Sequence, residues 1–158
     1  MVRALSPPHC RNLALAKQMI KVKRIDHVAI AVAERDAAAA SLSALFGLET
    51  GAREHVASQG TDVAFLHPQS GKEDAALELC APRGNAALDR FLARRGPGLH
   101  HVCFAVEDLP AALAELKAAG VRLIDETPRR GARGHDVAFL HPDSTGGVLF
   151  ELCAESQA

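Results

Sequence analysis

Apolar positions along this chain fall into short blocks that alternate with polar ones, and the blocks come in two matching series. The stretches IDHVAIAV (25–32) and LHHVCFAV (99–106) read as strands buried on at least one face. Each leads into a segment of helical spacing, ERDAAAASLSALFG ending at Gly47 and EDLPAALAELKAAG ending at Gly120, where a terminal glycine is a common stop. Asp36 and Asp108 are the predicted N-caps, and Pro110 is tolerated in a first turn. Past each glycine the pattern predicts a short strand of mixed polarity. The phrase DVAFLHP follows, at Asp62–Pro68 and again at Asp136–Pro142. A hairpin and a last strand complete each series, AALELCA (75–81) and VLFELCA (148–154). Between the series, NAALDRFLARR (85–95) reads as a connecting helix, broken by Gly96-Pro97-Gly98.

The two phrases lie 136 − 62 = 74 residues apart, and sliding the chain by that offset lays His27 on His101. Glu78 falls on Glu151 with one residue deleted, 151 − 78 = 73. Two copies at so long a period are not a stacked array. They predict an α+β fold of two tandem βαβββ modules, related by a pseudo-twofold axis and curled into a barrel-like mixed sheet around one cavity. The expected layout is an N-terminal extension (1–24) and a single domain (25–158). Within that domain lie module one (25–84), the connecting helix (85–96) and module two (97–154).

Length and composition agree with this plan. The 158 residues suit one domain, since compact domains run to roughly 100 to 150 residues. Eighteen basic and 19 acidic residues leave a formal net charge of −1, so no large basic surface for nucleic acid is expected. No apolar run reaches the roughly 20 residues that cross a bilayer, so no membrane role is expected. Cys10, Cys80, Cys103 and Cys153 form no CxxC pair and follow no secretory segment, which predicts free thiols. Residues 1–24 carry basic residues and no acid, as transit peptides do and as flexible arms also can. The expected location is a bacterial cytoplasm, or the mitochondrial matrix if that segment is a targeting signal.

Four residues do not suit a plain core. Taken singly, His27, His101, Glu78 and Glu151 could each sit on a half-wet strand face. Taken together they recur at equivalent places in both halves, and a twofold axis would bring them together. Two imidazoles and two carboxylates in one cavity form a divalent metal site by ligand type, and a cation removes the penalty of burying the carboxylates. Copied surface residues are the competing explanation. His67 and His141 precede prolines and are expected to be turn residues, and strand alternation turns His100 away from the cavity that His101 enters. Cys80, Cys103 and Cys153 stand two residues past proposed ligands and are expected to line the cavity as small apolar groups. Arg129, Arg130, Arg133 and His135 form a basic loop, read as a solvated turn or a phosphate contact.

The duplicated module with its His and Glu residues resembles the vicinal oxygen chelate superfamily, which includes glyoxalase I, extradiol dioxygenases and bleomycin-resistance proteins. GPGLHH before a strand and HPDSTGGVLFEL near the end are together most similar to its methylmalonyl-CoA epimerase family, over about residues 25–153. That resemblance implies one divalent ion, Co2+ or Mn2+ before Zn2+ or Ni2+, held by His27, Glu78, His101 and Glu151. It also implies an acyl-CoA substrate, a homodimer, and Glu151 and Glu78 as the groups that move the C2 proton of methylmalonyl-CoA. Some members carry a catalytic glutamate where this chain has Val63, with Asp62 beside it facing the other way, and Asp143 replaces an expected lysine. Glyoxalase I, which shares the ligand set, is the alternative enzyme. A small-molecule-binding protein without catalysis is the alternative outside enzymes.

Overall fold

The structure, a computed structural model, describes residues 20–70 and 74–155. Its two halves meet along β1 (Val22–Ala31) and β5 (Gly98–Val106), which run antiparallel with Val28 opposite Val102. These residues are themselves 102 − 28 = 74 apart, so the pseudo-twofold axis passes between them. On either side of that point His27 faces Cys103 and Ala29 faces His101. Each central strand then pairs in parallel with the last strand of its own module, β4 (Ala76–Pro82) beside β1 and β8 (Phe150–Glu155) beside β5. Adding β2 (Glu49–Val56), β3 (Thr61–His67), β6 (Arg129–Arg130) and β7 (His135–Leu140) completes one eight-stranded sheet in the order β2-β3-β4-β1-β5-β8-β7-β6. This is the predicted pair of βαβββ modules in one curled mixed sheet.

The helices cover the outer face because strand alternation sends every second apolar side chain there. Ile30, Val32, Leu66 and Leu79 pack against α1 (Arg35–Phe46). Leu109, Leu113 and Leu116 of α3 (Leu109–Ala118) pack against Ala138, Leu140 and Leu152. Each of those leucines contributes about 2 kcal/mol by leaving water. The inner face carries Ala29, Ala31, Val63, Phe65 and Cys80, joined by Leu88 of α2 (Ala86–Arg95). Small residues on the central strands leave room there for larger polar groups.

Local signals set most boundaries. Asp108 caps α3 by accepting from the Ala111 N–H at 2.9 Å, and Asn85 caps α2 in the same way from Leu88. Gly47 ends α1 at φ 66°, where its N–H donates to Ser43 O. The N-cap of α1 is Glu34 and not the predicted Asp36, which lies in the first turn and pairs with Arg35. β1 starts at Val22, inside the stretch predicted as an extension, while residues 1–19, including Cys10, lie outside the described residues. Cys80, Cys103 and Cys153 are free thiols, as predicted.

The second strand of module two is reduced to Arg129–Arg130 and an isolated bridge between Leu123 and Leu140. Asp125 explains part of this shortening. Its carboxylate accepts from the Phe139 N–H at 2.9 Å, taking a donor that a neighbouring strand would use, and Pro128 has no N–H to offer in return. No helix among the described residues is long and apolar enough to cross a membrane.

Candidate metal centre

Four buried side chains converge on the inner face at the seam between the modules. His27 comes from β1, His101 from β5, Glu78 from β4 and Glu151 from β8. The register places them in matching positions, with Ala29 opposite Glu78 in one module and Cys103 opposite Glu151 in the other. His27 Nε2 lies 3.3 Å from His101 Nε2 and 3.4 Å from Oε2 of both Glu78 and Glu151. His101 Nε2 is 2.8 Å from Glu151 Oε2 and 3.7 Å from Glu78 Oε2. Ligand atoms held about 2.0 to 2.2 Å from one cation stand about 3 to 3.6 Å from each other, so this hard nitrogen and oxygen set fits a divalent ion.

The charges of the quartet support one another. Burial pulls the His27 pKa down, but the charge of Glu78 and hydrogen bonds with Asp26 and Glu151 hold it well above its ordinary value. Burial pushes Glu151 up, yet its bonds to His101 and His27 bring it to about 2, and Glu78 is lowered by His27 in the same way. The carboxylates are therefore ionised at neutral pH, and the raised His27 places positive charge beside them. Cys80 donates to Glu78 Oε2 at 3.2 Å, and burial raises its thiol well above the usual range. It serves the ligand carboxylate as a donor, the role of a neutral thiol.

Each of the two converging histidines is oriented from behind by the residue before it. His27 Nδ1 is 2.9 Å from Asp26 Oδ2, and His101 Nδ1 is 2.9 Å from His100 Nδ1. These partners are equivalent, since 100 − 26 = 74, but one is a carboxylate and the other an imidazole. His100 is pushed down to about 4 by burial and by His101, and its ring meets Phe91 edge to face. It does not line the cavity of Glu78 and Glu151, yet it reaches His101 and shares a wider cavity with it, where alternation predicted separate sides. The repeated phrase also contributes. Phe65 lies opposite Glu78 and edge to face with His27, and Phe139 lies opposite Glu151 and edge to face with His101.

The basic loop departs from its expected place in solvent. Arg133 lines the metal cavity with His27, Glu78 and Glu151, stacks its guanidinium 4.1 Å above the Phe65 ring and pairs with buried Asp26. Its backbone sits at φ 54°, the only positive φ among the described non-glycine residues, at a cost on the order of 1 kcal/mol. Two contacts hold it there: its N–H donates to Glu54 Oε1 at 2.7 Å, and Gly131 lets the loop lie against β7, where a Cβ would fall 2.6 Å from Val137. Gln59, equivalent to Arg133 by the same offset, also lines the cavity. The offset was the signal that could have paired them.

Other expectations resolve individually. Val63 is buried on the inner face among Ala29, Phe65 and Cys80 and offers no ionisable atom where the resemblance implied a glutamate. Asp62 turns away to His55 at 2.8 Å and to Arg83. His141 is a turn residue, accepting from the Asp143 N–H at 3.2 Å, and Asp143 itself pairs with Arg122.

Comparison with known proteins agrees with this fold. The chain is 38% identical over 134 residues to the ethylmalonyl-CoA/methylmalonyl-CoA epimerase of Cereibacter sphaeroides, covering 83% of this chain and 97% of that protein. The crystal structure of methylmalonyl-CoA epimerase from Mycobacterium tuberculosis superposes with a TM-score of 0.80 at 34% identity, over 90% of this chain and 93% of that one. A Streptomyces coelicolor methylmalonyl-CoA epimerase variant in complex with 2-nitronate-propionyl-CoA gives a TM-score of 0.79 at 35% identity, covering 87% and 100%. The model of the glyoxalase/bleomycin resistance protein/dioxygenase superfamily matches residues 26–139, a span holding both central strands and three of the four converging side chains, and the chain belongs to that superfamily.

Proposed function

We propose that the protein is a divalent-metal-dependent methylmalonyl-CoA epimerase, which interconverts the R and S forms by removing and returning the proton at C2. The observation that supports this most is the buried quartet His27, Glu78, His101 and Glu151 at cation-ligand spacing, in a chain whose relatives bear that activity. A bound Co2+ or Mn2+ ion would supply positive charge beside the thioester oxygen as the C2 proton leaves. The protein's own residues do the rest. His27 and His101 hold their rings fixed through Asp26 and His100. Glu151 and Glu78 are the carboxylates proposed to move the proton: the ionised one takes it from one face of C2, and the other, protonated in that state, returns a proton from the opposite face. Phe65 and Phe139 wall the histidine rings on either side. The working unit is proposed to be a homodimer, to be tested by mass in solution.

The test is C2 exchange. Protein reconstituted with Co2+ or Mn2+ is expected to incorporate deuterium at C2 of methylmalonyl-CoA in deuterated water, to lose this on chelation and to regain it on metal return. No exchange with Co2+, Mn2+, Zn2+ or Ni2+ would sink the reading. A parallel assay with methylglyoxal and glutathione measures the glyoxalase I alternative, which uses the same four ligands.

A further inference from the structure

We infer that Arg133 is the residue that recognises the free carboxylate of the substrate, making the site selective for 2-carboxyacyl thioesters over plain acyl thioesters. The inference rests on the epimerase reading and names its specificity determinant. Arg133 is the arginine that lines the cavity holding His27, Glu78 and Glu151, whereas Arg90, Arg94 and Arg95 line the wider cavity on the side of His101. One face of its guanidinium is occupied by the Phe65 ring and one Nη2 proton by Asp26. Its Nε is buried without a hydrogen-bond partner, a donor already stripped of water and left unused. A guanidinium presents its N–H groups as a planar fork that matches the two oxygens of a carboxylate.

Charge points the same way. The cavity and its backing hold three carboxylates, Glu78, Glu151 and Asp26, against which a divalent ion, Arg24 and Arg133 bring four positive charges. Without Arg133 an anionic acyl group would enter a pocket with no excess positive charge. With it the pocket carries one positive charge before the substrate carboxylate arrives, and the guanidinium protons not used by Asp26 meet that charge at short range. The equivalent turn in module one carries Gln59, which is neutral, so only one side of the cavity has this preference. The positive φ at Arg133 and the Glu54 contact fix the loop so that the guanidinium faces inward before any ligand binds.

The experiment compares two CoA thioesters that differ by the carboxylate, malonyl-CoA and propionyl-CoA, by calorimetry on Mn2+-loaded protein. Arg133→Gln should weaken malonyl-CoA by about a hundredfold and propionyl-CoA by less than about twofold. Mn2+ affinity, read separately by electron spin resonance, should stay within about threefold, which a residue acting only through Asp26 and His27 would not allow. The double variant Arg133→Gln with Asp26→Asn restores the internal charge balance. At Mn2+ concentrations that fill its metal site, which loss of Asp26 weakens, its malonyl-CoA affinity should remain low, and recovery to the wild-type value would overturn the proposal in favour of a structural pairing. Equal losses for both thioesters would also overturn it. If wild-type protein exchanges C2 but Arg133→Gln binds malonyl-CoA normally, this inference falls and the epimerase reading stands. If wild-type protein shows no exchange with any of the four metals, the epimerase reading falls first and takes this inference with it.

Discussion

Module one meets the cavity with a neutral amide, Gln59, and a carboxylate-backed histidine; module two meets it with a guanidinium, Arg133, and a histidine backed by an imidazole. The converging histidine and glutamate and the phenylalanine wall are the same in both. The difference teaches where duplication is tightly held and where it relaxes. Groups that share one cation must match in position, because each ligand atom is fixed by the others. Groups one layer away need not share one point and can differ, and here their differences place positive charge on one side of an otherwise twofold site.

The comparison can be broken most severely at the ligands. His27→Ala and His101→Ala should each lose bound metal on dialysis and fall to background exchange, with equal severity because neither module can hold the ion alone; metal analysis checks this. Full occupancy in either variant would show that the ligand assignment is wrong. The carboxylates should separate the modules. Glu151→Gln is expected to lower kcat by about a hundredfold to ten-thousandfold while metal stays bound, as loss of a proton-transfer group does. Glu78→Gln, where the amide keeps an oxygen ligand, should cost about tenfold, and identical losses in the two variants would remove the functional difference between the carboxylates. The smallest contrast lies behind the histidines. Asp26→Asn should weaken metal binding by about ten- to a hundredfold, since the carboxylate both orients His27 and makes it more basic. His100→Asn should weaken it less, because a neutral imidazole only orients His101. Equal effects on the metal dissociation constant would contradict this.

Much of this was legible in the sequence because repetition is a positional statement. The offset of 74 placed His27 on His101, led to Glu78 and Glu151, and implied the axis now seen at Val28 and Val102. The phrase that revealed the offset looked like mere strand and turn, yet its Phe65 and Phe139 flank the ligands, a contact that depends on register with β4 and β8. Arg133 was read as solvent-facing because loop composition says nothing about a left-handed residue held inward by Glu54, 79 residues away. Alternation kept His100 from the cavity of Glu78 and Glu151 but hid its bond to His101, since adjacent side chains can touch around the strand edge. The shortened β6 was missed because Asp125 stands in for strand pairing through its side chain, which no hydrophobic pattern records.

The seam through Val28 and Val102 has a consequence for folding. Each module owns only two of the four converging side chains, so the quartet exists only after β1 and β5 have paired across 74 residues. An ion bound there would act as a clasp between the halves. Its binding energy would oppose separation of the modules and leave the inside of each nearly untouched.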